Sequence, residues 1–131
     1  MTAKKKILLI DDDRDFLIAT KLILESGGYE VFLAEDGKTG VEMCKSVCPD
    51  LAIIDLMMET WSEGMSVLEK IRATDSGKDT PLFILSAVDL KGPYDSFQPP
   101  PEYPKVNAVL HKPVKAAELL QHIARELGGK P

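Results

Sequence analysis

The sequence has no long hydrophobic run. None of its apolar stretches approaches the roughly 20 consecutive residues that a membrane-spanning helix needs. Residues 1–6 are followed by only a short apolar stretch before three aspartates, so we expect neither a signal peptide nor a membrane anchor. The sequence therefore predicts a cytoplasmic protein without a membrane partner.

An excess of positive charge is also missing. The chain carries 16 lysines and arginines against 21 aspartates and glutamates, which gives a formal net charge of -5. Proteins bind the phosphate backbone of nucleic acids through a basic surface that displaces its counterions. We therefore expect no direct nucleic-acid binding by this chain.

Cysteine and histidine are scarce. Cys44 and Cys48 lie four residues apart in a helical segment, and His111 and His122 have no spacing that supports a metal site. A metal site built on the cysteines would need further ligands. We expect both cysteines to be reduced and partly buried.

The residues that are present fit one domain spanning positions 1–131. Apolar residues make up 44% of the chain and charged residues 28%, which is ordinary for a folded protein. The length allows a single core of two or three layers but not two independent cores. We therefore expect one globular unit.

Strand and helix patterns alternate along the chain. The predicted strands are residues 6–10, 29–34, 51–55, 81–86 and 108–111, and the predicted helices are residues 14–26, 39–47, 64–74 and 115–127. A wide apolar stripe on the first helix, which includes Leu17, Leu22 and Leu24, is expected to be its buried face. The alternation favours parallel strands joined by right-handed crossovers, with helices on both faces. We therefore predict an α/β fold with a doubly wound, five-stranded parallel sheet.

Polar residues fall at the carboxyl ends of the predicted strands, where doubly wound folds place their ligand sites. These residues are Asp11, Asp12 and Asp13 after the first strand, Asp55 ending the third, Ser86 ending the fourth and Lys112 after the fifth. Each alone has a structural explanation, since Asp13 is a natural N-cap, Ser86 could cap a turn and Lys112 could be a solvated surface lysine. Their joint placement at one sheet edge instead indicates a functional site.

The gathered aspartates predict a Mg²⁺ site. Like charges within about 4 to 6 Å disfavour the ionised forms, and a folded protein tolerates them chiefly when a cation shares the site. Mg²⁺ binds through one or two carboxylates and keeps waters or phosphate oxygens in its remaining positions. The expected cofactor is therefore Mg²⁺.

Four sequence blocks carry a family resemblance. They are residues 7–13 (ILLIDDD), 49–58 (PDLAIIDLMM), 85–87 (LSA) and 111–114 (HKPV). In order and spacing they resemble the motifs of two-component response-regulator receiver domains, chemotaxis regulators among them, over nearly the whole chain. The resemblance implies a flavodoxin-like sheet with the strand order 2-1-3-4-5.

The resemblance also implies roles for the residues at the strand ends. Asp55 matches the aspartate that accepts a phosphoryl group. Asp11 and Asp12 match the acidic pair, with Asp12 expected to bind the metal directly and Asp11 through water. Met57 stands where the family uses a backbone carbonyl as a further metal ligand.

The remaining implied roles concern signalling. Ser86 matches the switch hydroxyl, and Lys112 matches the lysine that pairs with the phosphoryl group. The implied function is Mg²⁺-dependent phosphoryl transfer to Asp55 from a sensor histidine kinase or a histidine phosphotransfer protein, followed by hydrolysis. Beyond its own phosphorylation and dephosphorylation, such a chain is not an enzyme. Its downstream target is unknown, and a homodimer is left open.

Three departures from the family concern output. Residues 59–64 suggest a lengthened loop after Asp55, and Val109 stands where many receivers have an aromatic residue. The proline-rich segment 89–105 predicts that the helix after the fourth strand is shortened, displaced or absent. We expect this segment either to form an altered signalling surface or to be a neutral insertion in a surface loop.

Two other functions are weighed against the receiver. Asp11 and Asp13 superficially match the nucleophile motif of haloacid-dehalogenase-type phosphatases, but that assignment leaves Asp55 without a role. The second alternative is a receiver fold that docks partners without being phosphorylated. Because every pocket residue for the transfer is present, the sequence favours the phosphorylated receiver.

Overall fold

The computed structural model describes residues 4–55, 61–75, 77–86, 107–111 and 115–127. The strands within this part of the chain are β1 (Lys6–Ile10), β2 (Glu30–Ala34), β3 (Leu51–Asp55), β4 (Leu82–Ser86) and β5 (Ala108–His111). Its helices are α1 (Arg14–Ser26), α2 (Gly37–Val47), α3 (Trp61–Arg72) and α4 (Ala116–Leu127). None of these helices has the length and apolar character that crossing a membrane requires.

The strands form one parallel sheet in the order β2-β1-β3-β4-β5. Ile7 of β1 is in register with Val31 of β2 on one side and with Leu51 of β3 on the other. Parallel neighbours require crossover connections, which the helices supply. The predicted doubly wound sheet and its strand order are confirmed.

Each face of the sheet supports its own apolar cluster, because successive side chains of a strand point to opposite faces. Ile7 and Leu9 of β1 belong to the cluster that includes Leu17 of α1 and Ile123 of α4. Leu8 and Ile10 belong to the second cluster, which contains residues of α2 and α3, among them Val41, Cys44, Leu68 and Ile71. Burial on both faces explains the continuous apolar runs of the strands.

Two glycines let α2 lie close to its neighbours. A Cβ atom added to Gly40 would clash with Cδ1 of Ile10 and lie 2.8 Å from its Cγ1. One added to Gly37 would clash with Cγ2 of Val67 on α3. The missing side chains therefore set the distance from α2 to β1 and to α3.

The start of α2 differs from the predicted one by two residues. The carboxylate of Asp36 accepts a hydrogen bond from the Thr39 N–H at 2.7 Å and acts as the N-cap. This bond, with a smaller contribution from Lys38, holds the pKa of Asp36 below its usual value. The cap makes Gly37 the first helical residue, two positions before the predicted start of the helix.

The start of α3 is also a correction. The sequence predicts a helix over residues 64–74 after a loop, whereas α3 begins at Trp61 and ends at Arg72. Residues 61–63 are therefore helical and do not belong to a lengthened loop. Gly64 lies inside the helix, and its low helix propensity was a poor guide because the tertiary context of α3 overrides it.

The apolar stripe of α1 is narrower than predicted. Leu17 is 2% exposed and Leu24 is fully buried, but Leu22 is 64% exposed and Ile18 is 51% exposed. The polar Thr20 is 3% exposed and lies on the buried side instead. A single helix can bury only one side against a sheet, so part of a wide apolar stripe faces solvent.

The two cysteines lie in different environments. Both are free thiols, with Cys44 buried on α2 and Cys48 exposed at its C-terminus. Cys48 has a φ of 53° and accommodates the left-handed conformation that ends the helix. The expectation of partial burial is therefore wrong for Cys48.

Asn107 fixes the entry into β5. Its N–H donates to the Leu82 carbonyl at 2.8 Å, and its Oδ1 accepts from the Leu82 N–H at 2.9 Å. Its Nδ2 also donates to Oε2 of Glu126 on α4 at 3.5 Å. The predicted irregular helix within residues 89–105 and the side chain of Val109 lie outside the described part of the structure.

Candidate functional site

The site begins where two neighbouring strands end. In the register of β1 with β3, Ile10 is opposite Ile54, so Asp11 and Asp55 follow at the same level of the sheet. Both strands consist mainly of apolar residues and are buried on both faces. The packing of these strands therefore places two aspartates side by side at the carboxyl edge.

Three carboxylates meet at this edge. One oxygen from each of Asp11, Asp12 and Asp55 lies within 4.8 Å of the others. Asp11 is 2% exposed and Asp55 is 7% exposed, whereas Asp12 is exposed to solvent. Solvent therefore reaches the cluster at Asp12, whereas Asp11 and Asp55 are buried.

Backbone hydrogen bonds hold Asp11 in place. Its N–H donates to the Ala34 carbonyl of β2 at 3.1 Å. Its Oδ1 accepts a hydrogen bond from the Asp13 N–H at 2.9 Å. These two contacts hold both the backbone and the carboxylate of Asp11 in position.

The third aspartate of the run has a different task. Oδ1 of Asp13 accepts a hydrogen bond from the Phe16 N–H at 3.1 Å and caps the N-terminus of α1. The structural explanation for Asp13 is therefore the correct one. Of the three consecutive aspartates, Asp11 and Asp12 therefore belong to the carboxylate cluster, and Asp13 caps the N-terminus of α1.

The donor set of the cluster suits a hard divalent cation. Carboxylate oxygens are the ligands that Mg²⁺ prefers, and two oxygens bound directly to one such ion lie at most about 4.2 Å apart. Since the three oxygens lie within 4.8 Å of one another, direct bonds together with a water-mediated one can join them to a single ion. The residues present therefore fit Mg²⁺.

The other predicted site residues divide into two groups. The backbone of Ser86 ends β4, and Leu85 is opposite Asp55, so Ser86 reaches the same sheet edge one residue further on. Lys112 follows β5 directly, but both Lys112 and Met57 lie outside the residues that the structure describes. The structure thus brings Asp11, Asp12 and Asp55 together and places the backbone of Ser86 at their edge.

One feature of this edge has no signal in the sequence. Nε of Arg14, the first residue of α1, forms an ion pair with Oε1 of Glu35 at 2.9 Å. Glu35 follows β2, so the pair links two elements at the carboxyl edge. Both side chains are largely exposed, and such a pair depends on tertiary placement that spacing along the chain does not report.

The fold and the cluster together define a class of protein. Proteins of this class have a doubly wound α/β fold, with an acidic site at the carboxyl ends of two neighbouring strands, here β1 and β3. The model of the response regulator receiver domain family matches residues 7–124. The chain belongs to this family.

Curated relatives agree with this assignment. The response regulator MprA of Mycolicibacterium vanbaalenii is 36% identical over 84 residues, covering 64% of this chain and 35% of that protein. The transcriptional regulatory protein DltR of Streptococcus agalactiae is 31% identical over 125 residues, covering 90% of this chain and 50% of that protein. This chain therefore spans between about a third and a half of the length of these relatives.

A solved structure is similar over almost the entire chain. The receiver domain of the sensor histidine kinase PA1611 from Pseudomonas aeruginosa is 28% identical, with a TM-score of 0.81. The match covers 97% of this chain and 100% of that domain, which was solved with a magnesium ion in its active-site cleft. Receiver domains are signalling modules that work with histidine kinases in two-component systems. The comparisons support neither the dehalogenase-type phosphatase nor a docking module that is not phosphorylated.

Proposed function

We propose that this chain accepts a phosphoryl group on Asp55 from a sensor histidine kinase or a histidine phosphotransfer protein, in a Mg²⁺-dependent reaction. The observation that carries the proposal is the cluster of three carboxylates that includes Asp55. A buried carboxylate that has two others within 4.8 Å at a sheet edge suits a metal-assisted transfer.

The metal would be held by Asp11, Asp12 and Asp55, with the backbone carbonyl of Met57 as a further ligand. By the family resemblance, Asp12 would bind the metal directly and Asp11 would bind it through water. When bound, Mg²⁺ neutralises charge on the phosphoryl oxygens during the transfer. The hydrogen bond from the Asp13 N–H to Asp11 holds one carboxylate ready without reorganisation.

In the transfer, an oxygen of Asp55 attacks the phosphorus of a phosphohistidine in line. The new O–P bond forms as the N–P bond breaks, and the electrons of the broken bond leave with the imidazole nitrogen. Water later attacks the same phosphorus and releases inorganic phosphate, which restores the carboxylate of Asp55. The chain therefore catalyses only its own phosphorylation and dephosphorylation.

Two further residues would convert the transfer into a signal. The ammonium group of Lys112 would pair with the phosphoryl oxygens, and the hydroxyl of Ser86 would donate a hydrogen bond to one of them. Because both contacts are stronger in the phosphorylated state, they shift the population towards one conformation of the adjoining surface. This role is supported by the backbone of Ser86, which lies at the end of β4, one residue beyond the position opposite Asp55.

The setting of the receiver belongs to the same proposal. Residues 1–131 form a single receiver domain, which acts in the cytoplasm either alone or as part of a longer regulator or hybrid kinase. Its phosphodonor is a partner protein, and its downstream target is unknown. A homodimer is one form in which it could signal.

Intact-protein mass spectrometry tests the proposal. The chain is incubated with MgCl₂ and acetyl phosphate, and one phosphoryl group is expected to be added. Asp55→Asn should abolish the addition, and EDTA should suppress it. Asp36→Asn is the matched control, because Asp36 is an exposed N-cap and asparagine caps a helix equally well.

The chemistry of the adduct provides a second check. Hydroxylamine cleaves an acyl phosphate but leaves a phosphoserine or phosphothreonine intact, so it should remove the added mass. Retention of the adduct in Asp55→Asn, or its resistance to hydroxylamine, would contradict the proposal. Absence of any adduct with acetyl phosphate and with a phosphorylated histidine phosphotransfer domain would favour the docking module.

A further inference from the structure

A groove of about 530 Å³ runs between α2 and the end of α3, on the side of the molecule formed by these two helices. From α2, its lining includes Lys38, Val41, Glu42 and Lys45. On the other side it includes Lys70 of α3 and Ala73, which directly follows that helix. The groove contains none of the aspartates of the carboxylate cluster.

Positive charge is concentrated in this groove although the chain is acidic. Three lysines line the groove against one glutamate, in a chain whose formal net charge is -5. Among the described residues, none of these lysines takes part in an ion pair. Their charge therefore remains open to a binding partner.

The helix dipole favours only two of these lysines. Lys45 and Lys70 lie in the last turns of α2 and α3, where a cation interacts favourably with the helix dipole. Lys38 instead lies in the first turn of α2, where a cation is disfavoured. Lys38 nevertheless favours the ionised form of Asp36, the N-cap of the same helix.

Two apolar residues line the groove: Val41, a core residue that is 9% exposed, and Ala73, which is exposed. Val41 and Ala73 lie in the groove with Lys38 and Lys45, which are seven residues apart on one helix. Two turns of helix correspond to a distance of about 10 Å along the axis. The groove therefore presents two cations about two turns apart, a third cation on the facing helix, and apolar atoms of Val41 and Ala73.

We propose that this groove is a docking surface for an acidic amphipathic helix of a partner protein. Carboxylates about two turns apart on such a helix would meet Lys38 and Lys45, and its apolar side chains would cover Val41 and Ala73. Charge complementarity selects an acidic partner, and the apolar atoms of Val41 and Ala73 select a helix with one apolar face. Docking here requires neither Asp55 nor a phosphoryl group.

The binding test uses a synthetic helical peptide of about four turns, with glutamates two turns apart beside a stripe of leucines. A scrambled peptide of the same composition lacks the stripe and keeps the charge. Fluorescence anisotropy with the full chain, without Mg²⁺ or phosphodonor, should give at least tenfold tighter binding of the amphipathic peptide. Equal affinities for the two peptides would overturn the proposal, because charge alone would then explain the binding.

Variants of the chain locate the binding. The triple variant Lys38→Gln, Lys45→Gln, Lys70→Gln should weaken binding of the amphipathic peptide at least tenfold. Circular dichroism and thermal unfolding of this variant check that it remains folded, as expected for substitutions at exposed positions.

A matched variant removes the same charge elsewhere. Lys5→Gln, Lys78→Gln, Lys115→Gln changes three exposed lysines outside the groove and should alter the affinity less than twofold. Amide chemical shifts of the unmodified chain should change along α2 and the end of α3 when the peptide is added. Equal weakening by both triple variants, or shift changes confined to another surface, would overturn the proposal. Since no phosphodonor is present, these outcomes are independent of whether Asp55 is phosphorylated.

Discussion

Ile54 and Asp55 are neighbours on β3, yet one is buried among apolar side chains and the other among carboxylates. Ile54 is fully buried in the cluster beneath α2 and α3. Asp55 is 7% exposed and lies within 4.8 Å of two further acidic groups. Removing a group from the interior should lower stability under all conditions. At the edge, removing a charge should change stability in a direction that depends on Mg²⁺, because the cluster is arranged for a ligand.

The largest loss is expected from Phe83→Ala in the interior. Phe83 is 1% exposed and makes an edge-on contact with the His122 ring at 6.4 Å between centroids. The cavity left by its ring should lower the free energy of unfolding by about 3–5 kcal/mol, measured by urea denaturation. Leu22→Ala is the control, because Leu22 is 64% exposed, and its loss should stay below about 1 kcal/mol. Similar losses for the two variants would contradict the expectation that buried Phe83 contributes far more to stability than exposed Leu22.

A smaller loss is expected where α2 meets β1. Gly40→Ala should lower the free energy of unfolding by about 1–3 kcal/mol, because its Cβ would clash with Ile10. Ile10→Ala alone leaves a cavity and should also destabilise the fold. In the double variant the new methyl group fills part of that cavity, so its loss should be smaller than the sum of the single losses. Additive losses in urea denaturation would show that the two positions do not share this contact.

Unlike the interior substitutions, removal of a charge at the sheet edge should raise stability when Mg²⁺ is absent. Without Mg²⁺, Asp12→Asn removes one of three crowded charges and should raise the free energy of unfolding by up to about 1 kcal/mol. Mg²⁺ should raise the melting temperature of the unmodified chain, because it binds the folded state, and should raise that of the variant less. Thermal unfolding with and without MgCl₂ measures both effects. An equal response of the two proteins to Mg²⁺ would exclude Asp12 as a metal ligand.

The smallest effect concerns Asp36, an acidic residue outside the cluster. Hydrogen bonds from Thr39 are the main cause of its lowered pKa, so the folded state binds a proton less readily than the unfolded state. Its contribution is present above the unfolded pKa of about 3.9 and is lost as the pH falls through the lower folded pKa. Asp36→Asn keeps the cap without this titration, so the variant should lose less stability on acidification. Parallel stability curves for both proteins would refute this origin of the pKa shift.

The elements that could be predicted are those whose pattern is strong. Every described strand lies within one residue of its predicted start and end, because runs such as residues 7–10 are apolar on both faces. The start of α3 could not be predicted, since Gly64 signals a helix start locally but lies in the interior of the helix. Exposure of Leu22 was missed for a similar reason, because an apolar stripe does not show which of its edges meets the sheet.

The candidate site was predictable to the extent that sheet topology is. Once β1 and β3 are neighbours in a parallel sheet, Asp11 and Asp55 must lie at the same edge. The N-cap role of Asp13 was also predictable, because Asp13 directly precedes the first residue of the predicted helix. The roles of Ser86 and Lys112 in the transfer stay predictions that rest on the family.

The hydrogen bonds of Asn107 have a consequence for how this domain can change during evolution. Because Asn107 pairs with Leu82 through both its backbone and its side chain, the register of β5 is set at the point where that strand begins. Insertions or deletions upstream of residue 107 then change the length of a connection without shifting the strand that follows. Proline-rich segments of different lengths are thus compatible with an unchanged sheet. This anchor would allow related chains to diversify between β4 and β5 while Asp11, Asp12 and Asp55 stay together.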